Sequence, residues 1–149
     1  MAIARGAGTE IIRSASFAAV NSTARAMIFG VQHHIYTVLS IICYAQGLNA
    51  DTDYITAYLQ GYDSVGGTTN QGIYLFEQDM SAKQTYVWND KFSFNGHEPT
   101  DFAGPMDDAT KQDAIADQGS SVAQVLNIDA EHASDNIDVF ITFIDQNNA

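Results

Sequence analysis

The sequence has few cysteine, proline and basic residues, and each scarcity excludes something. The single cysteine, Cys43, excludes an intramolecular disulfide. It lies in the apolar run 36–45, which favours the role of a small buried hydrophobe over that of a reactive thiol. The two prolines, Pro99 and Pro105, both fall within residues 95–120, so that segment is the main interruption in an otherwise regular pattern.

Basic residues are outnumbered by acidic ones, six to eighteen, which gives a net charge of −12. A surface that tracks phosphates needs Lys and Arg, so we expect no nucleic-acid partner. The imbalance is uneven, because residues 1–25 carry +2 and the remainder carries −14. A basic amino-terminal arm on an acidic body can dock on an acidic surface, including a neighbouring copy, although an ordinary solvated surface explains the same arginines.

Long hydrophobic runs are lacking as well. No stretch approaches the ~20 apolar residues needed to cross a bilayer, and the amino terminus has no continuous apolar core of a signal peptide. We therefore expect a soluble protein that is made in a cytoplasm and has no membrane partner.

The sequence is rich in aromatic residues and in period-two alternation, both of which favour strands. Residues 54–62 alternate an aliphatic face with a tyrosine face, and residues 137–144 place one apolar face inward. Residues 36–45 are apolar on both faces, which indicates either a layered core or a subunit interface. About nine short strands separated by turns predict an all-β fold, a single antiparallel β-sandwich of jelly-roll type.

We expect one domain over residues 1–149, with two irregular parts. Residues 1–9, small and glycine-containing, predict an extended amino-terminal arm. Residues 95–120 predict an acidic loop insertion, within which 107–118 is typical of a short helix that ends at Gly119.

No catalytic motif is convincing. The serine of the stretch 61–67 fits a polar hairpin loop better than a protease site, because the chain is too short for two barrels. Asp51 and Asp53 lack the later ligands of a calcium loop, and a His/carboxylate site near Glu131 and His132 lacks diagnostic spacing. We therefore expect a non-enzyme with no cofactor, no catalytic residues and no metal ligands.

The tyrosine face has two interpretations. Tyr54, Tyr58 and Tyr62 form a candidate surface strip, suited to sugar stacking or subunit packing because tyrosine combines a large apolar area with a polar tip. The alternative is that the second sheet or the acidic insertion covers this face.

The order of the strands and their residue patterns resemble those of a known protein family from residue 10 to residue 145. The segments concerned are 36–41, 58–63, 73–76, 88–92 and 137–142. Their succession resembles the small β-sandwich virion proteins of tailed, especially marine, phages that decorate capsids or form tail parts. The acidic insertion departs from that family's compact pattern.

The resemblance implies a capsid decoration or cement protein on the virion surface, in many copies, with trimers favoured and no catalysis. Its partners would be the major capsid protein and other copies of itself. We expect Ile3, Arg5, Ile11 and Arg13, in and after the arm, to contact the shell or a neighbour. The alternatives are a tail or spike module that binds host glycan through the tyrosine strip, and a small enzyme with a carboxylate site.

Overall fold

The computed structural model describes residues 8–63, 68–99, 107–110, 112–113 and 121–148, with only the backbone given for 62–63, 68–71 and 99. In these residues the chain forms eleven strands: β1 (Thr9–Val20), β2 (Arg25–Phe29), β3 (His34–Gly47), β4 (Asp53–Asp63), β5 (Thr68–Met80), β6 (Thr85–Trp88), β7 (Phe92–Asn95), β8 (His97–Pro99), β9 (Ser121–Ala123), β10 (Val125–Ala130) and β11 (Asn136–Asn147). No helix among the described residues is long and apolar enough to cross a membrane.

The strands form two main antiparallel sheets. Sheet 1 has the order β1-β11-β3-β6, with β7 also paired to β3, and sheet 2 has the order β2-β10-β4-β5. The chain passes repeatedly between the two sheets and its last long strand returns beside its first, which is the connectivity of a jelly roll. The predicted all-β antiparallel sandwich is therefore confirmed.

The core lies between the inner faces of the two sheets. Ile41 and Ile141 of sheet 1 and Ile55 and Ile128 of sheet 2 are fully buried. Burying each such side chain contributes about 1.5–3 kcal/mol. At one end of the core, Tyr36 packs against the rings of Phe94 and Phe143 and accepts a hydrogen bond from the Val31 amide at 3.1 Å. The alternation read from the sequence therefore assigns the inner faces correctly.

The strands differ from the prediction in length and number. β1, β3, β5 and β11 span 12 to 14 residues, longer than the short strands expected. The additional elements are β8 and β9, which pair with each other and join the two ends of the acidic insertion. Inside that insertion, residues 109–110 and 112–113 are helical, and the Gln112 amide donates to the Asp108 carbonyl at 3.2 Å. Residues 107 and 108, where the predicted helix began, are not helical, and residues 111 and 114–118 lie outside the described residues.

Two glycines allow a close approach of backbones beside this insertion. A Cβ atom at Gly30 would overlap the carbonyl oxygen of Gly96, and one at Gly96 would overlap that of Val31. The amides of both glycines are used there, with Gly30 donating to the Gln124 carbonyl and Gly96 to the His34 carbonyl, each at 2.8 Å. Only glycine fits these two positions, because any side chain would separate the segments that the hydrogen bonds hold together.

Candidate functional site

The outer face of sheet 1 carries apolar and hydroxyl side chains in cross-strand rows. The register places Phe140 beside Ile42, and Ile42 beside Val87, in one apolar row. A second row brings Ile12 of β1 next to Ile144 of β11. Between them lies a hydroxyl row in which Ser14, Thr142 and Ser40 are neighbours. We call this surface the neutral face.

Several side chains of the neutral face are exposed to solvent. The exposed fraction is 72% for Ile12, 51% for Val87 and 40% for Phe140. Glu10 and Asp138, near opposite ends of the rows, are the acidic residues of β1 and β11 that share this face. An apolar surface with so little charge stands out on a chain of net charge −12.

A groove of about 380 Å³ opens in the neutral face next to a β-bulge in β1. The bulge separates Phe17 from Val20 in register, and Ala19 within it has a φ of 55°. The Ala19 amide donates to Asp138 Oδ1 at 3.3 Å, which holds the bulge open beside β11. The groove is lined mainly by apolar and aromatic side chains, among them Phe17, Ile42, Tyr44 and Phe140.

The outer face of sheet 2 has the opposite character, aromatic and acidic. Tyr54 and Tyr58 lie on this face of β4, since their neighbours Ile55 and Ala57 point into the core. Tyr74 of β5 packs beside Tyr58, with 5.5 Å between the ring centroids, and is 68% exposed. The second sheet therefore does not cover these tyrosines. The backbone of Tyr62 continues the strand, but its side chain lies outside the described residues.

Carboxylates surround the tyrosines of sheet 2. Partial burial raises the pKa of Tyr54 above its ordinary value of 10.0, and the nearby charges of Glu131, Glu77 and Asp129 raise it further. Between Glu77 and Asp129 in register lies Thr56, whose buried hydroxyl has no hydrogen-bond partner in the described part of the chain.

A third cluster joins two loops at the point where β4 begins and β10 ends. Asp53 Oδ1 lies 3.4 Å from His132 Nε2, and Glu131 Oε1 lies 3.9 Å from the same nitrogen. Burial raises the pKa of Asp53, but hydrogen bonds from the Ala50 amide and with Asp135, and the charge of His132, leave it below its ordinary value of 3.8. The sequence singled out Asp53 in one place and Glu131 with His132 in another, yet their meeting depends on strand pairing that no spacing reveals.

The residues predicted to contact a shell or neighbour are only partly described. Ile3 and Arg5 lie outside the described residues, whereas Ile11 and Arg13 belong to β1. Arg13 pairs within its own chain with Asp145 at 3.0 Å, and its guanidinium lies 5.4 Å from the centre of the Phe143 ring. Ile11 is 39% exposed. A neighbour contact through these residues stays a prediction.

Sequence reasoning found one strand of the neutral face, since residues 36–45 are apolar on both sides, but it missed the extension of that face onto β1 and β11, and it missed Tyr74. The signal was present in β11, where every second side chain points away from the core. Phe140 and Ile144 follow Asp138 on that outward side. A strand with apolar residues on both sides predicts either a third layer or an interface. The described residues form two layers and leave that outer side of sheet 1 uncovered.

Comparison with known proteins yields one distant structural likeness. No protein-family model matches the sequence, and no curated protein matches it. A solved structure reported under the description of Bacillus endospore appendages as a novel family of disulfide-linked pili is similar over 100% of this chain and 97% of that one, with 11% identity and a TM-score of 0.44. A likeness this distant establishes neither a family nor a function. The resemblance to phage virion proteins stays a prediction.

Proposed function

We propose that this chain is a non-catalytic structural subunit that assembles with other copies of itself through the neutral face of sheet 1. The observation that carries the proposal is the exposure of apolar side chains in two rows of one face, Phe140 and Val87 in the first and Ile12 in the second, on a strongly acidic protein. Monomeric soluble proteins seldom expose large apolar patches without a partner.

The charge distribution favours a second copy as that partner. Two sheet 2 faces would bring like-charged carboxylates such as Glu77 and Asp129 together, which repels. Two neutral faces can pack without desolvating many charges, and apolar area buried there contributes roughly 25 cal/mol per Å² before the costs of association. The Ser and Thr side chains between the apolar rows still find partners, as Ser14 does with Thr142 at 3.4 Å.

The groove beside the β1 bulge supplies a place for an anchoring side chain. Aromatic side chains that fill a pocket dominate the energetics of most interfaces. Phe140 itself is 40% exposed at the rim of this groove. Where copies of the chain meet through this face, a neighbour's Phe140 or Tyr44 is a suitable occupant of the groove.

The finer version of the proposal places the assembly on a phage head as a capsid decoration or cement protein. It is supported by the jelly-roll connectivity, which occurs among viral capsid proteins, by a net charge of −12 that favours solubility before docking, and by the basic amino-terminal segment. Its partners would be the major capsid protein and further copies of the chain, in trimers. Deleting residues 1–9 should abolish particle binding, and unchanged binding would mean that the amino-terminal arm does not anchor the chain to the shell.

Size-exclusion chromatography with light scattering tests the coarser proposal. The wild-type chain should elute at a multiple of the protomer mass, and Phe140→Glu should reduce it to a protomer. Ile73→Glu is the matched control, because Ile73 is 63% exposed on β5 of sheet 2. A monomeric wild-type chain, or a Phe140→Glu variant of unchanged mass, contradicts the proposal.

The outer face of sheet 2 supports a second candidate function, a recognition module for host glycan. Tyr58 and Tyr74 offer adjacent rings, and the carboxylates of Glu77 and Asp129 lie near the tyrosines of this face. Aromatic rings with a few polar groups are typical of sugar-binding surfaces. Glycan-array binding that is lost in Tyr58→Ala and kept in Phe140→Glu favours this function over assembly alone.

A further inference from the structure

A mixed donor set of two carboxylates and one imidazole lies where the loop before β4 meets the loop after β10. One ligand atom from each of Asp53, Glu131 and His132 can be chosen so that all three lie within 4.8 Å of one another. In a tetrahedral site with metal–ligand distances of about 2.0–2.2 Å, donors sit roughly 3.3 Å apart. The observed separation of 3.4 Å between Asp53 Oδ1 and His132 Nε2 already fits. Only Glu131, 3.9 Å from the same nitrogen, must move closer.

The backbone orients both carboxylates toward this centre. Asp53 Oδ2 accepts a hydrogen bond from the Ala50 amide at 3.0 Å, and Glu131 Oε2 accepts one from the Tyr54 amide at 3.2 Å. Each bond fixes one oxygen and directs the other, Oδ1 or Oε1, to His132. Outer hydrogen bonds of this kind are what hold ligating carboxylates in place in metal sites.

Asp135 links the two loops through hydrogen bonds to both of its carboxylate oxygens. Its Oδ1 accepts from the Asn49 amide at 2.8 Å and its Oδ2 from the His132 amide at 2.9 Å. It is therefore a positioning residue for His132.

Apart from His132, no cationic side chain in the described part of the chain pairs with the carboxylates at this point of the fold. Asp53 and Asp135 are 1% and 3% exposed, and in the described part of the chain their ion pairs and hydrogen bonds involve no Lys or Arg. Buried carboxylates in proteins are paired with cations or coordinate metals. This burial is independent of the spacing of the three donors, and it points to a bound cation.

We propose that Asp53, Glu131 and His132 bind a divalent transition-metal cation of the Zn²⁺ class. Imidazole with carboxylates suits such ions, whereas Ca²⁺ takes six to eight oxygen ligands. His132 is 42% exposed, so a fourth position opens to water. The ion joins the loop between β3 and β4 to the loop between β10 and β11, a structural role that does not depend on assembly through the neutral face.

Isothermal titration of the full-length chain with ZnCl₂, followed by thermal unfolding with and without the ion, tests the proposal. We expect one equivalent of Zn²⁺ to bind and to raise the unfolding midpoint, with Ca²⁺ and Mg²⁺ binding more weakly. His132→Ala should lower the Zn²⁺ affinity by at least about tenfold and abolish the visible absorption of bound Co²⁺. His33→Ala, in the turn before β3, is the histidine control and should leave both unchanged.

Glu131→Gln guards against a variant that fails to fold, since Glu131 is 34% exposed and its loss should disturb packing little. It should weaken Zn²⁺ binding as His132→Ala does, with an unchanged circular dichroism spectrum. No binding by the wild-type chain overturns the proposal, as does equal affinity in His132→Ala and wild type. Equal weakening in His33→Ala places the ion elsewhere, and tighter binding of Ca²⁺ than Zn²⁺ overturns the assigned class of ion.

Discussion

Asp145 of β11 is the residue whose removal should most weaken the attachment of the first strand. Its carboxylate is 2% exposed, accepts from Arg13 Nη1 at 3.0 Å and lies 2.7 Å from His34 Nδ1. It therefore links β1, β11 and β3 in sheet 1. Because Arg13 is 53% exposed, its ion pair is worth only about 0.2–1 kcal/mol. The bond to His34, which is 17% exposed, is worth about 1.5–3 kcal/mol.

Asp145→Ala should therefore lower the free energy of unfolding by about 2–4 kcal/mol, because it removes both contacts and leaves His34 Nδ1 without this acceptor. Arg13→Ala should cost only about 1 kcal/mol, from the exposed ion pair and the contact with the Phe143 ring. Urea unfolding followed by circular dichroism measures both, with an unchanged slope m in each variant. A cost for Arg13→Ala equal to that of Asp145→Ala would refute the reasoning, since it would mean that burial does not set the strength of these pairs.

Three further predictions concern other parts of the fold. Gly96→Ala should destabilise the protein by more than about 2 kcal/mol, because the new methyl group overlaps the Val31 carbonyl. Gly47→Ala is the control, because a Cβ there meets nothing within 4 Å. Similar urea midpoints for the two variants would contradict this packing. Partial burial and then the charge of His33 lower the pKa of His97 from its ordinary value of 6.5. The unfolded chain then binds more protons than the folded chain just below pH 6.5, so stability should rise with pH through that window. The thermal midpoint of His97→Gln should depend less on pH between 5.5 and 7.5 than that of the wild type. An identical pH dependence in the variant and the wild type would contradict this prediction. Burial raises the pKa of the Cys43 thiol to about 12, so a thiol reagent should modify it only after denaturant is added, and rapid modification of the native protein would be the contrary result.

The sequence predicts well which side chains face the core, because the alternation of side chains in a strand is a local property. Ile137, Ile141 and Ile55 were assigned to the core by alternation alone, and all three are fully buried. Cys43 was predicted to be a buried hydrophobe and is one. Strand ends were predicted less well, since β5 extends to Met80 through polar residues whose pairing with β4 decides their conformation.

The candidate sites depend on the register between paired strands, which the composition of the sequence does not reveal. The neutral face exists because Ser16, Phe140, Ile42 and Val87 are neighbours across four strands. Asp53 and His132 are far apart in the chain, and they meet because β4 pairs with β10 in a register that brings Ile55 next to Ala130. In each case the residues were visible in the sequence and their juxtaposition was not.

Hydroxyl-radical footprinting at increasing protein concentration tests most directly whether the neutral face is covered by a second copy. This method reads the solvent exposure of individual side chains, and the structure provides both a probe and an internal control. Oxidation of Phe140, at the centre of the neutral face, should fall as the chain assembles, while oxidation of Tyr74 on sheet 2, which is 68% exposed, should stay constant. Constant oxidation of Phe140 with loss at Tyr74 would contradict the account and move the interface to sheet 2.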